Sequence, residues 1–354
     1  MTEGFPPLLR DLLGAVGPSG HEGAAAALWR KAAQGFGADV WGDALGSSVA
    51  LVSGAQPDFR LAVIGHIDEI GLIVTHIDDE GFLWFRPIGG WDAQILVGQR
   101  VRLLTAAGPL VGVIGKKPIH LLRDEERKKV ADVRDLHIDI GARDGGQAAD
   151  MTQVGDVAVI DGEPVELPNG RVVSRALDNR LGAYIALEVA RVVSDTGVGE
   201  CGVAAVAAAQ EEITLAGART SAYALKPSVA VVVDVTHATD APGVDVKEAG
   251  RHELGSGAVI ARGATLHPRV FELLVEAARA ESIPHTVEAA ARQTGTDADA
   301  VHTARAGVPT GLVSIPLRYM HSPVEMVALE DVQSCVRLIA AFARRLDTQT
   351  SFAR

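Results

Sequence analysis

Residues Cys201 to Glu212 read CGVAAVAAAQEE. The apolar run Cys201–Ala209 has the length and composition of a buried strand. Two glutamates follow it directly. Neighbouring side chains at the end of a strand point to opposite sides. Glu211 and Glu212 can therefore do different jobs, one holding a cation and the other moving a proton.

Working outward from this strand, the sequence alternates strands and helices from Val172 onward. A helix follows Asp178, with Leu181, Ile185, Leu187 and Val189 apolar. Strands are expected at 203–209, 230–235 and Leu312–Ile315, and helices at 268–280 and 329–346. The N-terminal part predicts a helix over 6–16 and an Ala-rich helix over 22–34. Ser19 and Glu22 fit a capping box for the latter. Strands Val49–Val52 and Leu61–Ile64 follow, the second running into His66. This alternation predicts an α/β fold of three layers, αβα, around a mainly parallel sheet.

The texture changes between Leu72 and Asp161. Short β runs appear at Leu72–His76, Phe82–Phe85, Val101–Leu104, Leu110–Ile114 and Val157–Ile160. Gly, Pro and Asp separate them, and the charged segment Arg123–Lys129 reads as a loop or short helix. Short strands without alternating helices do not build a parallel sheet. A small β-rich domain, inserted at 73–164 between catalytic segments 1–72 and 165–354, is the expected organisation. A length of 354 residues suits about two domains.

Composition narrows the partners. Hydrophobic residues make up 47% of the chain, enough for a sizeable core. A net charge of −12 argues against nucleic acid. Two cysteines, Cys201 and Cys335, cannot make a disulfide framework and fit a reducing cytoplasm. The first twenty residues lack a basic-then-apolar signal pattern, and the apolar stretches are of strand length. No membrane span is expected.

Polar residues with metal-ligating chemistry gather where strands end or helices begin. His66 and Asp68 follow strand 61–64, Asp178 opens a helix, Asp234 ends strand 230–235 and His321 lies beyond strand 312–315. Ligands of open α/β sheets bind beyond the carboxyl ends of strands, so these positions can converge. Two histidines and several carboxylates without cysteine suit zinc, cobalt or manganese. Charge counting favours two divalent ions. Their positive charge balances Asp178, Glu212, Asp234 and a bridging hydroxide, avoiding net buried charge. Glu211, not needed as a ligand, is then the candidate general base. Asp68 is placed to accept the imidazole N–H of His66 and orient it.

At these residues the chain resembles the M42 metallo-aminopeptidases, the tetrahedral-aminopeptidase group. The resemblance runs nearly end to end. It is carried by Pro18-Ser19-Gly20, Gly65–Gly71, Pro87-Ile-Gly-Gly-Trp91, Ser174–Arg180, Gln210-Glu-Glu212, Gly295-Thr-Asp297 and Ile315–Pro323. It implies a dinuclear site with His66, Asp178 and Asp234 on one metal, zinc foremost. Asp178, Glu212 and His321 would hold the other, with Asp178 bridging. Glu211 would be the base and Asp68 would orient His66. The inserted domain would resemble a PDZ-like module serving dimerisation, with six dimers forming a hollow dodecamer that admits short peptides.

The chain departs from the family pattern at Gly255–Ala258, where relatives often carry Gly-Lys-Gly-Pro, and at Arg292–Asp297. Loss of that lysine weakens a preference for acidic first residues and leaves aliphatic ones such as Leu or Met as the expectation. Asp297 and Arg318 read equally as pocket residues or as buried structural groups, and His252 is a further pocket candidate. Three alternatives to an aminopeptidase stay open. They are a di-metal deacylase of N-acyl amino acids, an endoglucanase-type glycosidase and a non-catalytic assembly protein. A glycosidase needs two carboxylates and no metals, and 4% aromatic residues offer few sugar-stacking platforms. The intact set of ligand types argues against the last.

Overall fold

The computed structural model describes residues 4–353. The chain opens with α1 (Pro7–Gly14) and α2 (Gly23–Gln34), then β1 (Asp39–Gly42), β2 (Ser48–Val52) and β3 (Gln56–His66). Next come β4 (Gly71–Ile77), β5 (Leu83–Ile88), α3 (Ala93–Leu96), β6 (Arg100–Thr105), β7 (Gly108–Gly115), α4 (Asp124–Arg127), β8 (His137–Asp139), α5 (Gly145–Met151) and β9 (Val157–Ile160). Short strands β10 (Val165–Leu167) and β11 (Arg171–Ser174) lead into the long α6 (Leu177–Thr196). Then follow β12 (Cys201–Ala208), α7 (Glu211–Thr214), α8 (Ala216–Leu225), β13 (Val229–His237), α9 (Val246–Ala249), β14 (Ala258–Gly263), α10 (Pro268–Ala280) and β15 (His285–Ala290). The chain closes with α11 (Ala298–Val301), β16 (Thr310–Leu317), β17 (Glu325–Ala328) and α12 (Leu329–Arg344).

The main sheet has eight strands in the order β1-β2-β12-β3-β13-β16-β14-β15. Its centre, β12-β3-β13-β16, is parallel throughout, while β2 joins β12 and β14 joins β16 antiparallel. Alternation along β12 explains its composition. Val203, Ala205 and Ala207 pack into the core under α6 and α12, and Ala204, Val206 and Ala208 into the core under α8. A strand buried on both faces carries no polar side chain, and alanine lets both helical layers approach closely. The expected α/β fold with helices on both faces is present.

Strands β4 to β9 close into an antiparallel barrel, β4-β5-β8-β7-β6-β9, with its own apolar core of Leu72, Phe85, Val101, Ile138 and their neighbours. The sequence reading missed β1, β8, β10, β11, β14, β15 and β17. Each has six residues or fewer. Among the described residues no helix is long and apolar enough to cross a membrane.

Two local expectations are corrected. Ser19 and Glu22 form no capping box. Ser19 Oγ donates to Asp68 Oδ2 at 2.6 Å, and Glu22 Oε1 accepts from the N–H groups of Gly20 and Gln210. Glu211 and Glu212 do not continue the strand either. Gln210 takes a left-handed conformation (φ 60°) and the two glutamates open the one-turn helix α7. Their side chains diverge because of this turn, not because of strand alternation.

The closest approach between sheet and helix is at Gly65, where an added Cβ would lie 2.2 Å from the backbone carbon of Gly182 in α6. Backbone cannot yield as a side chain can. Gly65→Ala should therefore destabilise the fold by about 3 kcal/mol through overpacking. A lower denaturation midpoint at unchanged slope would show it.

Candidate metal centre

The parallel centre of the sheet delivers the site. His66 is the last residue of β3 and stands level with Ala208 of β12. Asp234 lies in β13, three residues before its end, and His321 follows β16. Asp178 sits at the kinked start of α6, where the Asp178–Asn179 peptide is cis. Asn179 ties this kink to the sheet. Its Nδ2 donates to the Val233 carbonyl and its Oδ1 accepts from the Gly182 N–H, both at 2.8 Å.

Asp178 is the meeting point. Its Oδ1 is 3.2 Å from His66 Nε2 and its Oδ2 is 3.3 Å from His321 Nε2. Glu212 Oε1 lies 3.5 Å from His321 Nε2, and Glu211 Oε2 lies 3.7 Å from His66 Nε2. Two groups of ligand atoms lie within 4.8 Å of one another: His66, Asp178 and Glu212, and His66, Glu211 and Asp234. Six of the seven expected residues, all but Asp68, are thus contiguous around the two imidazoles. The geometry also brings Glu211 within ligand range, which the sequence reading did not foresee.

Asp68 stands behind this cluster. Its Oδ1 is 3.3 Å from His66 Nδ1, the nitrogen turned away from Asp178. It also accepts from Ser19 Oγ and from the N–H groups of Glu211 (3.0 Å) and Glu212 (3.2 Å). One buried carboxylate therefore fixes a histidine ring and both glutamates. Burial works against its charge, but His66, Ser19 and the backbone donors hold its pKa below the usual range.

The electrostatics fit a cation. Burial disfavours charge on Asp178, yet the two imidazoles keep it well below the usual carboxylate range. Burial, and repulsion from Asp234, Asp297 and Glu212, push Glu211 up to about 10. Burial likewise raises Glu212 and Asp234. Asp178 and Glu212 lift His321 to about 11. Glu212 Oε1, buried, has no hydrogen-bond partner. The chain alone must hold protons in this cluster to limit its charge. Divalent cations would take the place of those protons, because metal ligands bind deprotonated. The donor set of imidazole and carboxylate therefore fits zinc-like ions.

Several structuring residues escaped the sequence reading. Buried Glu325 accepts from the Asp178 N–H at 3.1 Å and from the His321 N–H at 2.9 Å, so one side chain sets both backbones. Buried Glu69 pairs with Arg175 and, at 3.1 Å, with Arg180, and accepts from the Gly17 N–H. It joins three segments that flank the site. Glu325 sits inside an otherwise apolar stretch, Pro323–Ala328, the one signal that could have exposed it, whereas Glu69 is masked by the adjoining Asp68. The loop Pro87–Trp91 reaches over from the barrel. A Cβ on Gly90 would stand 3.4 Å from His321 Nδ1, and one on Gly89 would meet Ile70 at 2.5 Å.

The remaining candidates separate cleanly. Arg318 pairs with Asp240 at 2.6 Å, bracing the loop that carries His321. His252 is buried, with Nδ1 2.7 Å from Thr286 Oγ1, and does not line the cavity at the cluster. Asp297 is buried without a hydrogen-bond partner, and burial raises its pKa to about 7. Thr294, Gly295 and Thr296 line the cavity, whereas Gly255 and Gly257 donate to Asp331 at the start of α12. Ser256, between them, does not line the cavity.

The chain is similar to known proteins over most of its length. The family model for M42 glutamyl aminopeptidases covers residues 46–338. The chain belongs to the M42 peptidase family. A lysyl aminopeptidase of Pyrococcus furiosus is 35% identical to this M42 chain over 308 residues, 86% of each. The crystal structure of a TET aminopeptidase from the marine sediment archaeon Thaumarchaeota archaeon SCGC AB-539-E09 superposes with a TM-score of 0.92 at 35% identity, covering 97% of this chain and 96% of that one. The Pyrococcus horikoshii TET1 peptidase, described as assembling into a tetrahedron or a large octahedral shell, gives 0.84 at 31% identity, covering 96% and 99%. This M42 chain is accordingly an aminopeptidase, a hydrolase of peptide bonds.

The ion triplet beneath the site is testable by itself. Glu69→Gln removes one charge and leaves two buried guanidinium groups against a neutral amide. The loss should be about 3–5 kcal/mol, read by chemical denaturation.

Proposed function

We propose that this M42 chain removes N-terminal residues from short peptides, using two divalent ions, zinc foremost, held by His66, Asp178, Glu212, Asp234 and His321. The observation that carries this reading is Asp178, which offers a different carboxylate oxygen to each of two imidazoles. Such an arrangement suits a ligand shared between two ions. When bound, the ions supply a water that ionises near neutral pH and a Lewis acid for the scissile carbonyl.

The chain's own residues do the rest. Glu211 takes the proton of the attacking water at its carboxylate and returns it to the leaving amine. Asp68 keeps His66 in one orientation and, through the Glu211 N–H, keeps the base beside it. Glu325 holds the backbones of Asp178 and His321 at fixed separation. The cavity over the cluster is about 290 Å³, room for one side chain and the bond to be cut. Val235 and Met320 on the cavity wall offer apolar contact to the first residue's side chain.

The barrel, taken with the flanking boundaries 73–164, is proposed as a dimerisation domain. Val111 and Val113 project from β7 into solvent, with Ile119 and Leu121 exposed just beyond. Shell-forming P. horikoshii TET1 supports a dodecamer of six dimers for this chain. Its two cysteines are free and buried, which suits a cytoplasmic setting.

Glu211→Gln should retain metal binding and folding while kcat on aminoacyl-p-nitroanilides falls about 10²–10⁴-fold. Full activity in that variant would remove Glu211 from the mechanism. Chelation should abolish cleavage, and zinc, cobalt or manganese should restore it. A free-amine anilide should be cleaved and its N-acetyl form left intact; the reverse would mark a deacylase. The double change Val111→Asp, Val113→Asp should give a smaller particle by light scattering.

A further inference from the structure

The cavity over the metal cluster is acidic beyond the needs of the cluster. Asp178, Glu211, Glu212, Asp234 and Glu288 line it, and no Lys or Arg does. Its bases are His66, His321 and His237. Cations at the centre would answer the first four carboxylates. Glu288 stands apart from them, on β15, a strand at the edge of the sheet.

Glu288 is also held in place. Thr236 Oγ1, from β13, donates to Glu288 Oε1 at 3.0 Å. Among the described residues, no Lys, Arg or His lies within ion-pair distance of its carboxylate, whereas Asp178, Glu211 and Glu212 each have an imidazole within that distance. His252 feels the charge of Glu288, but burial disfavours the charged form of that imidazole. Glu288 is half-buried, so it faces the cavity with reduced screening. A fixed carboxylate without a cation, on the wall of a small cavity, is built to receive one from the substrate.

We propose that Glu288 selects peptides whose first residue carries a basic side chain, lysine above all. This inference rests on the aminopeptidase reading and deepens it. The wall beside Glu288 offers Val235, Thr236 and Met320 for the aliphatic stem of such a side chain, and the carboxylate meets its ammonium. Aliphatic residues of the same length would fit the stem but leave Glu288 unpaired. Acidic residues would meet the like charge of Glu288.

The test compares lysine with norleucine, which matches its stem without the ammonium. Hydrolysis of lysyl- and norleucyl-p-nitroanilide by metal-loaded protein comes first. Cleavage of neither overturns the aminopeptidase reading and this inference with it. Calorimetric binding of L-lysinamide and L-norleucinamide then reads the wall directly, independent of turnover. Wild type should favour lysine about tenfold or more, in both kcat/KM and Kd, as expected for a charged hydrogen bond. In E288Q, where the amide oxygen can still accept from Thr236, the ratio should fall close to one. E288D should keep a reduced preference, which guards against a folding defect in E288Q. Equal treatment of the two ligands by wild type overturns the proposal. So does an unchanged ratio in E288Q, or an equal loss of both ligands, which would place the α-amine at Glu288 instead.

Discussion

Asp178 shares its carboxylate between His66 and His321, one oxygen to each. The rest of the site depends on that sharing. It sets the separation of the two imidazoles, and it places Glu212 beside one and Glu211 beside the other. It also concentrates negative charge where water is scarce. Buried carboxylates this close cannot all ionise without cations, since like charges in a poorly screened interior repel strongly. Protons on Glu211 and the histidines limit that charge in the chain alone. Divalent ions would do so while leaving Glu211 free to exchange a proton.

Holding such a cluster requires rigid surroundings, and the fold supplies them from several directions. The parallel strands β3, β12 and β13 end beneath it. Asn179 pins the kinked start of α6 to β13, and Glu325 spans from Asp178 to His321. Glu69 with Arg175 and Arg180 locks the N-terminal segment against the base of α6. A buried ion triplet of this kind adds little net stability over an apolar replacement, but it is costly to break. Its value here is geometric, because each member adjoins a residue of the site or its support. The barrel contributes as well. Its Pro87–Trp91 loop lies against His321 and Glu212, so the domain that presents an exposed apolar face also packs against the cluster.

Much of this was legible in the sequence. Helix α10 spans Pro268–Ala280 as expected, because proline at its first turn and an amphipathic stripe mark both its start and its face. The central strands announced themselves as apolar runs ending in charged residues. Strands β14 and β15 did not. Their sequences, AVIARG and HTVEAA, are short and alanine-rich, and they gain their strand character from neighbours in the sheet. The turn at Gln210 was hidden for a different reason. A non-glycine residue at φ 60° leaves no compositional mark, so the Glu211-Glu212 pair read as a strand end rather than a helix start. Ser19 and Glu22 matched a local capping pattern, but distant partners, Asp68 and Gln210, outcompeted it. Glu288 carried no signal at all, since only the tertiary fold brings β15 to the cavity.

The central claim is that two metal ions share Asp178. Anomalous diffraction from crystals of the zinc-loaded protein, collected on both sides of the zinc edge, tests it most directly. Two peaks are predicted, both contacting Asp178, one beside His66 and the other beside His321. A single peak, or peaks that leave Asp178 uncoordinated, would contradict the shared-carboxylate centre.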